Sequence, residues 1–176
     1  MNDRYIIERE FEHKGYKCVV VFQPMGHRCG YVGIPDAHPL YKKDYSSYLD
    51  IKKADIEGRE VSCVFQLFLA CLDDDERIQI DAYFQCHGGI TYSGGGKGSS
   101  YPIESDLWWF GFDCAHAGDG KDLQFAYEKF PNEREHIAGM IDLEKRFPIH
   151  GETVRTEEYV AAECKRLAEQ LKEFEK

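Results

Sequence analysis

Two short runs of this chain hold most of the residue types that bind or transform small molecules. The first is Gln85-Cys86-His87-Gly88-Gly89-Ile90-Thr91-Tyr92-Ser93, and the second runs from Trp108-Trp109 through Asp113-Cys114-Ala115-His116 to Asp119. A carboxylate beside an imidazole makes an acid–base pair, because the carboxylate holds the tautomer and raises the imidazole pKa. Asp113, His116 and Asp119 offer such a pair, and His87 adds a second imidazole. His and Asp are also ligands for divalent metals, but no HExxH-type spacing occurs, so no metal and no cofactor is expected. Cys114 lies between apolar residues and reads as packed rather than nucleophilic. The plain structural alternative is that Asp113 and Asp119 cap a turn near Ala115–Gly118.

Residues suited to holding a ligand surround these. Gly88 and Gly89 allow successive backbone amides to face one concavity, where an anion fits. In the loop Gly94–Ser100, Lys97 with Ser99 and Ser100 can close over a charged ligand, although the glycines lack Walker spacing. Arg28 is a candidate for bidentate phosphate recognition, and Tyr31, Tyr41, Tyr92 or Trp109 for stacking a base, with Ser93 in the same run as Tyr92. If strand-borne, Trp108 and Trp109 point to opposite faces, one into the core and the other toward the site or a subunit partner.

The elements that must position these residues follow from patterning. Residues 4–12 and 16–23 read as a β-hairpin around His13-Lys14-Gly15, and Arg28–Ile34 as a short strand. Tyr41–Tyr45 reads as an exposed loop. Residues 57–72 fit both helical and strand periodicity; the acidic turn that follows, and a second run at Ile78–Gln85, favour two paired strands. Trp108–Asp113 is strand-like. Lys121–Lys129 and Asn132–Lys145 have helical character, interrupted by Pro131. Thr156 N-caps a last helix with Glu157 and Glu158 in its first turn and an apolar face of Val160, Cys164, Leu167, Leu171 and Phe174. The expected fold is α+β, a mainly antiparallel sheet with C-terminal helices packed on one side, in a single domain 1–176.

Composition narrows the partners. The net charge of -10 disfavours binding to duplex nucleic acid, which needs a basic face, without excluding a small anion. Seven cysteines, an odd number and without a CxxC pair, indicate neither a disulfide framework nor a thiolate metal site. No signal peptide and no apolar run of membrane-spanning length is seen, so a cytoplasmic protein with no membrane partner is expected.

The blocks GHRCGYVGIPDAHPLYKKDY, HGGITYSG, YPIESDLWWFGFDCAHAGD and TVRTEEYVAAECKRLAEQL resemble a family of small proteins encoded in bacteriophages and prophages. The resemblance covers most of the chain; the stretch from about Lys52 to Ile80 is longer than in the family and is read as an insertion. It carries over no catalytic residue. It implies a context, in which small accessory phage proteins, often oligomeric, act against host defence. Two expectations follow. The first is an anti-defence protein that sequesters a nucleotide-derived immune signal, with Arg28, Lys97, His87 and the Gly88–Gly89 amides on phosphates. The alternative is a hydrolase that degrades such a signal at a phosphodiester or glycosidic bond, with His87 and His116 as acid and base and Asp113 or Asp119 orienting them. A protein–protein inhibitor with an acidic surface is a third reading.

Overall fold

Lys14 and Gly15 take positive φ angles of 53° and 83° and turn the chain tightly between β1 (Ile6–His13) and β2 (Tyr16–Phe22). This hairpin opens the computed structural model, which describes residues 4–56, 73, 76–148 and 150–175. Next come β3 (Arg28–Ile34), β4 (Tyr48–Lys52), β5 (Arg77–Gln79), β6 (Tyr92–Gly95) and β7 (Trp108–Asp113). Five of these strands form one antiparallel sheet in the order β1-β2-β3-β7-β6, while β4 pairs with β5 separately. A single helical turn, α1 (Ile80–Tyr83), follows β5; α2 (Leu123–Lys129), α3 (Arg134–Arg146) and α4 (Glu157–Phe174) follow the sheet. Two residues each, β8 (Asp119–Gly120) and β9 (Thr153–Val154) pair in parallel. The fold is α+β, as the patterning predicts.

Alternation along the central strands divides the core in two. Cys18, Val20, Val32, Ile34, Phe110 and Phe112 face α4, which buries Val160, Ala161, Cys164, Leu167, Ala168 and Leu171 against them. Thr156 caps that helix by accepting from the Tyr159 amide at 3.3 Å. Gly30 is the close-approach point: an added Cβ would lie 2.6 Å from Cys164 Sγ and 2.4 Å from Phe112 Cζ. Phe22, at the end of the same face, packs among Leu123, Ala126, Phe130 and Ile137 of the α2–α3 region.

Val19, Val21, Cys29, Tyr31 and Trp109 face the other way and meet Ile103, Tyr101 and Leu107. The segment after the glycines therefore roofs the second face, and a bridge between Ser99 and Ser105 fastens it. This corrects the reading of Gly94–Ser100 as a free lid: Gly94 and Gly95 belong to β6, paired with Trp109 and Trp108.

The region before residue 86 departs from its pattern. Of the Ile78–Gln85 run only Ile78 and Gln79 are strand, as the end of β5, and among the described residues β5 pairs with β4. The next two amides go elsewhere, Ile80 to the Ser47 carbonyl and Asp81 to that of Tyr45, both at 3.0 Å. With its ladder donors taken by that loop, the chain turns into α1. Residues 57–72, read as the partner strand, lie outside the described residues. Among the described residues no helix is long and apolar enough to cross a membrane.

Candidate functional site

Where β3 begins and β7 ends, the backbone brings together three stretches far apart in sequence. Cys29 pairs with Asp113, and the Cys114 amide donates to the Arg28 carbonyl at 2.9 Å. The chain then turns through Ala115–Gly118, where Gly118 takes φ 91°. Asp119 enters β8, opposite Thr153, and that pairing sets Arg155 beside it. The segment 86–89 enters from the other side, with Gly88 and Gly89 at φ 67° and 90°.

Asp119 is the hub. Its side chain is 1% exposed, and both oxygens are engaged. Oδ1 accepts from Arg155 Nε at 2.8 Å. Oδ2 meets His87 Nε2 at 2.7 Å and accepts from the His116 amide at 3.0 Å. Burial alone would raise its pKa, but the hydrogen bonds from Arg155, His87 and the His116 amide outweigh it and hold the value at about 2. The carboxylate is therefore ionised throughout the physiological range. His87 is fixed at its other nitrogen too, Nδ1 lying 3.0 Å from the Tyr159 hydroxyl.

His116 completes the cluster. Its ring centroid lies 5.6 Å from that of His87, and Nδ1 is 3.7 Å from Asp119 Oδ2 and 3.9 Å from Asp113 Oδ1. That nitrogen is buried and has no hydrogen-bond partner among the described residues. The ring sits directly on the Gly88 backbone, where an added Cβ would meet His116 Cε1 at 2.0 Å. His87, His116 and Asp119 each present one ligand atom, all within 4.8 Å of one another. Asp113 stands at the edge, accepting from Thr91 Oγ1 at 2.8 Å and from the Ala115 amide at 3.1 Å, so it also serves as the turn cap.

His87, Asp113, His116 and Asp119 thus converge, with Gly88 beneath His116; Gly89 touches nothing within 4 Å of its would-be Cβ. The expected ligand-gripping residues do not join them. Arg28 is 8% exposed, its guanidinium fork taken by both Glu8 oxygens at 2.7 and 2.9 Å and by the Arg155 carbonyl at 3.0 Å. It is a buried clamp, not a phosphate ligand. Tyr31 and Trp109 are 4% and 0% exposed, in the core of the second face. The Tyr31 hydroxyl bonds that of Tyr101, and Trp109 Nε1 donates to Ser105 Oγ, so neither ring is free to stack a base. Tyr92 leans edge-on against Tyr31, and Ser93 Oγ accepts from the Tyr45 amide. Lys97 follows the Trp108 end of the sheet, roughly 17 Å along β7 from Asp113. Trp108 is half-buried at that end, donating to the Lys43 carbonyl.

Three contributors were not expected. Arg155 and Tyr159 flank the Thr156 cap, one position before it and three after, and a helix start aimed at the site is the signal that marks them. His27, next to Arg28, lies within the electrostatic reach of Asp113 and Asp119; its pKa is lowered chiefly by burial. Cys114 is buried, and burial pushes its thiol up to about 12, so it is no thiolate nucleophile. Away from the cluster, an open cleft of ≈ 470 Å³ is lined by Arg4, Tyr5, Gln23, Ser100 and Tyr101. No family model, no curated protein and no solved structure matches the chain.

Proposed function

We propose that the protein is a hydrolase acting on a phosphodiester of a nucleotide-derived signal, with the His87–His116–Asp119 cluster as its reactive centre. The observation that carries this reading is the convergence of two imidazoles and an ionised, buried carboxylate from separate stretches of chain. Such a cluster can activate water and protonate a leaving oxygen at one place. Arg155, a permanent cation at 2.8 Å from Asp119, sets positive charge where a phosphoryl oxygen would gather negative charge. The anti-defence setting, in which the substrate is an immune signal of the host, rests on the resemblance to phage-encoded proteins. His116→Ala should cut turnover of a cyclic-dinucleotide and linear-dinucleotide panel by about 10²–10⁴-fold, with affinity nearly unchanged. Equal loss of binding and turnover would mean that His116 only shapes the surface.

Sequestration without cleavage is the second reading, and the tyrosine-lined cleft favours it. Its volume lies within the range of small-ligand pockets, and Tyr5 and Tyr101 flank it edge to face at 5.0 Å. Ligand released intact by heat denaturation, with affinity reduced by Tyr101→Ala but not by His116→Ala, would favour this reading over the first.

A further inference from the structure

We infer that His87, His116 and Asp119 form a binding site for one divalent transition-metal ion of the zinc class. The inference deepens the hydrolytic reading by naming what activates the water, but the ion's binding is argued from geometry alone. Two imidazole nitrogens and one carboxylate oxygen within 4.8 Å of one another can surround a single ion. Bonds of about 2.1 Å to a tetrahedral centre place neighbouring ligand atoms roughly 3.4 Å apart. The observed separations from Asp119 Oδ2, 2.7 Å to His87 and 3.7 Å to His116, bracket that value.

Four further features fit a metal centre better than a plain hydrogen-bond network. His116 Nδ1 is buried with no hydrogen-bond partner among the described residues, an uncommon condition for an imidazole nitrogen, and it faces Asp119 at 3.7 Å. His87 has its second nitrogen 3.0 Å from the Tyr159 hydroxyl, which orients the ring and can accept from Nδ1–H once Nε2 exchanges its bond to Asp119 for an ion. Asp119 is oriented by Arg155 on one oxygen and by the His116 amide on the other. Gly88 admits the His116 ring where any side chain would expel it. The donor set also limits the ion. Magnesium and calcium prefer all-oxygen shells, whereas two imidazoles and a carboxylate suit zinc, cobalt, nickel, manganese or ferrous iron.

Three protein ligands leave positions open, the arrangement of catalytic rather than structural zinc sites. A water bound there would lose a proton and attack phosphorus; the P–O bond to the leaving alkoxide breaks, and that oxygen takes up a proton. Net addition of water balances the step, and no oxidant or reductant enters. Asp113, 3.9 Å from His116 Nδ1, stands at the rim beside this centre.

The test uses the full chain, stripped with a chelator, then titrated with Zn²⁺ in a calorimeter and with Co²⁺ by visible absorption. One ion should bind per chain, with cobalt bands of a low-coordinate nitrogen–oxygen site and no intense thiolate charge-transfer band. His116→Asn should abolish the cobalt spectrum while leaving the melting curve of the metal-free protein close to wild type, since Nδ1 has no bond to lose. Tyr159→Phe should weaken Zn²⁺ about tenfold through loss of the support to His87. No binding, or equal binding by His116→Asn, overturns the site. Metal binding without turnover defeats the hydrolase reading alone; turnover that survives complete chelation defeats the metal centre alone.

Discussion

At Gly88 an added methyl would run into the His116 ring, while at Gly89, with nearly the same backbone twist, it would meet open space. The two neighbours therefore separate conformational strain from site geometry. Alanine at either position should cost about 1–2 kcal/mol for the left-handed backbone. Gly88→Ala should in addition displace His116 and lower turnover on the order of a hundredfold, whereas Gly89→Ala should keep it. Thermal unfolding and kinetics on the same two variants check this. Equal activities would show that His116 does not depend on its seat.

His38 offers a pH dependence of a different origin. It is 4% exposed; Nδ1 accepts from the Leu40 amide at 3.0 Å and Nε2 donates to the Leu171 carbonyl at 3.1 Å, a pattern only the neutral ring can satisfy. Burial lowers its pKa from the ordinary 6.5, opposed in part by the Leu171 carbonyl and Glu175, with Lys172 adding to the depression. The unfolded chain accordingly takes up a proton near 6.5 that the folded protein refuses. Its contribution is complete above that pH and shrinks as pH falls toward the folded value. Urea midpoints measured at about pH 7 and about pH 5 should drop, and His38→Gln should start lower but decline less. A decline equally steep in the variant would place the titration elsewhere.

At the level of elements, α4 couples stability to the site. Thr156 caps it, Tyr159 in its first turn holds His87, and Arg155 just before it holds Asp119. Thr156→Ala should cost about 1 kcal/mol in urea unfolding. It should also loosen Tyr159, seen as increased motion of the His87 ring by NMR; an unchanged ring would separate the cap from the site. This helix was legible in the sequence because cap, acidic first turn and apolar spacing agree. The strands Arg28–Ile34 and Trp108–Asp113 were legible for a similar reason, their apolar runs being bounded by turn residues. The run after Ile78 was not, since its amides are claimed by Ser47 and Tyr45, a tertiary contact that no local pattern announces. At the site, the nearness of His87 and His116 was readable from the clustering of residue types. Arg28 was misread because a cation's partner, here Glu8 on the adjoining hairpin, is invisible until the sheet is assembled.

Across the whole molecule, Arg28 binds three regions: β1 through Glu8, β3 through its own backbone, and the approach to α4 through the Arg155 carbonyl. The two charged side chains are 9% and 12% exposed. Arg28→Ala should destabilise by about 3–5 kcal/mol, because Glu8 is left charged and unpaired in a dry place. Arg28→Met with Glu8→Leu should recover most of that loss in urea unfolding. A single variant of unchanged stability that loses nucleotide affinity would return Arg28 to the ligand.

The first hairpin is also fastened directly to the last helix. Arg9 pairs with Glu157, His13 with Glu169 and Tyr16 with Glu175, across 148, 156 and 159 positions of chain. During synthesis the sheet face built from Cys18, Val20, Val32 and Phe110 lacks the cover of Val160, Cys164, Leu167 and Leu171 until α4 has been made. The His87–His116–Asp119 cluster waits on the same event, since Arg155 and Tyr159, which hold Asp119 and His87, arrive with that helix. Nascent chains therefore carry a partly uncovered apolar face from the synthesis of β2 until α4 docks. Such long-range closure folds more slowly than a fold wired by local contacts and leaves the period before docking exposed to aggregation.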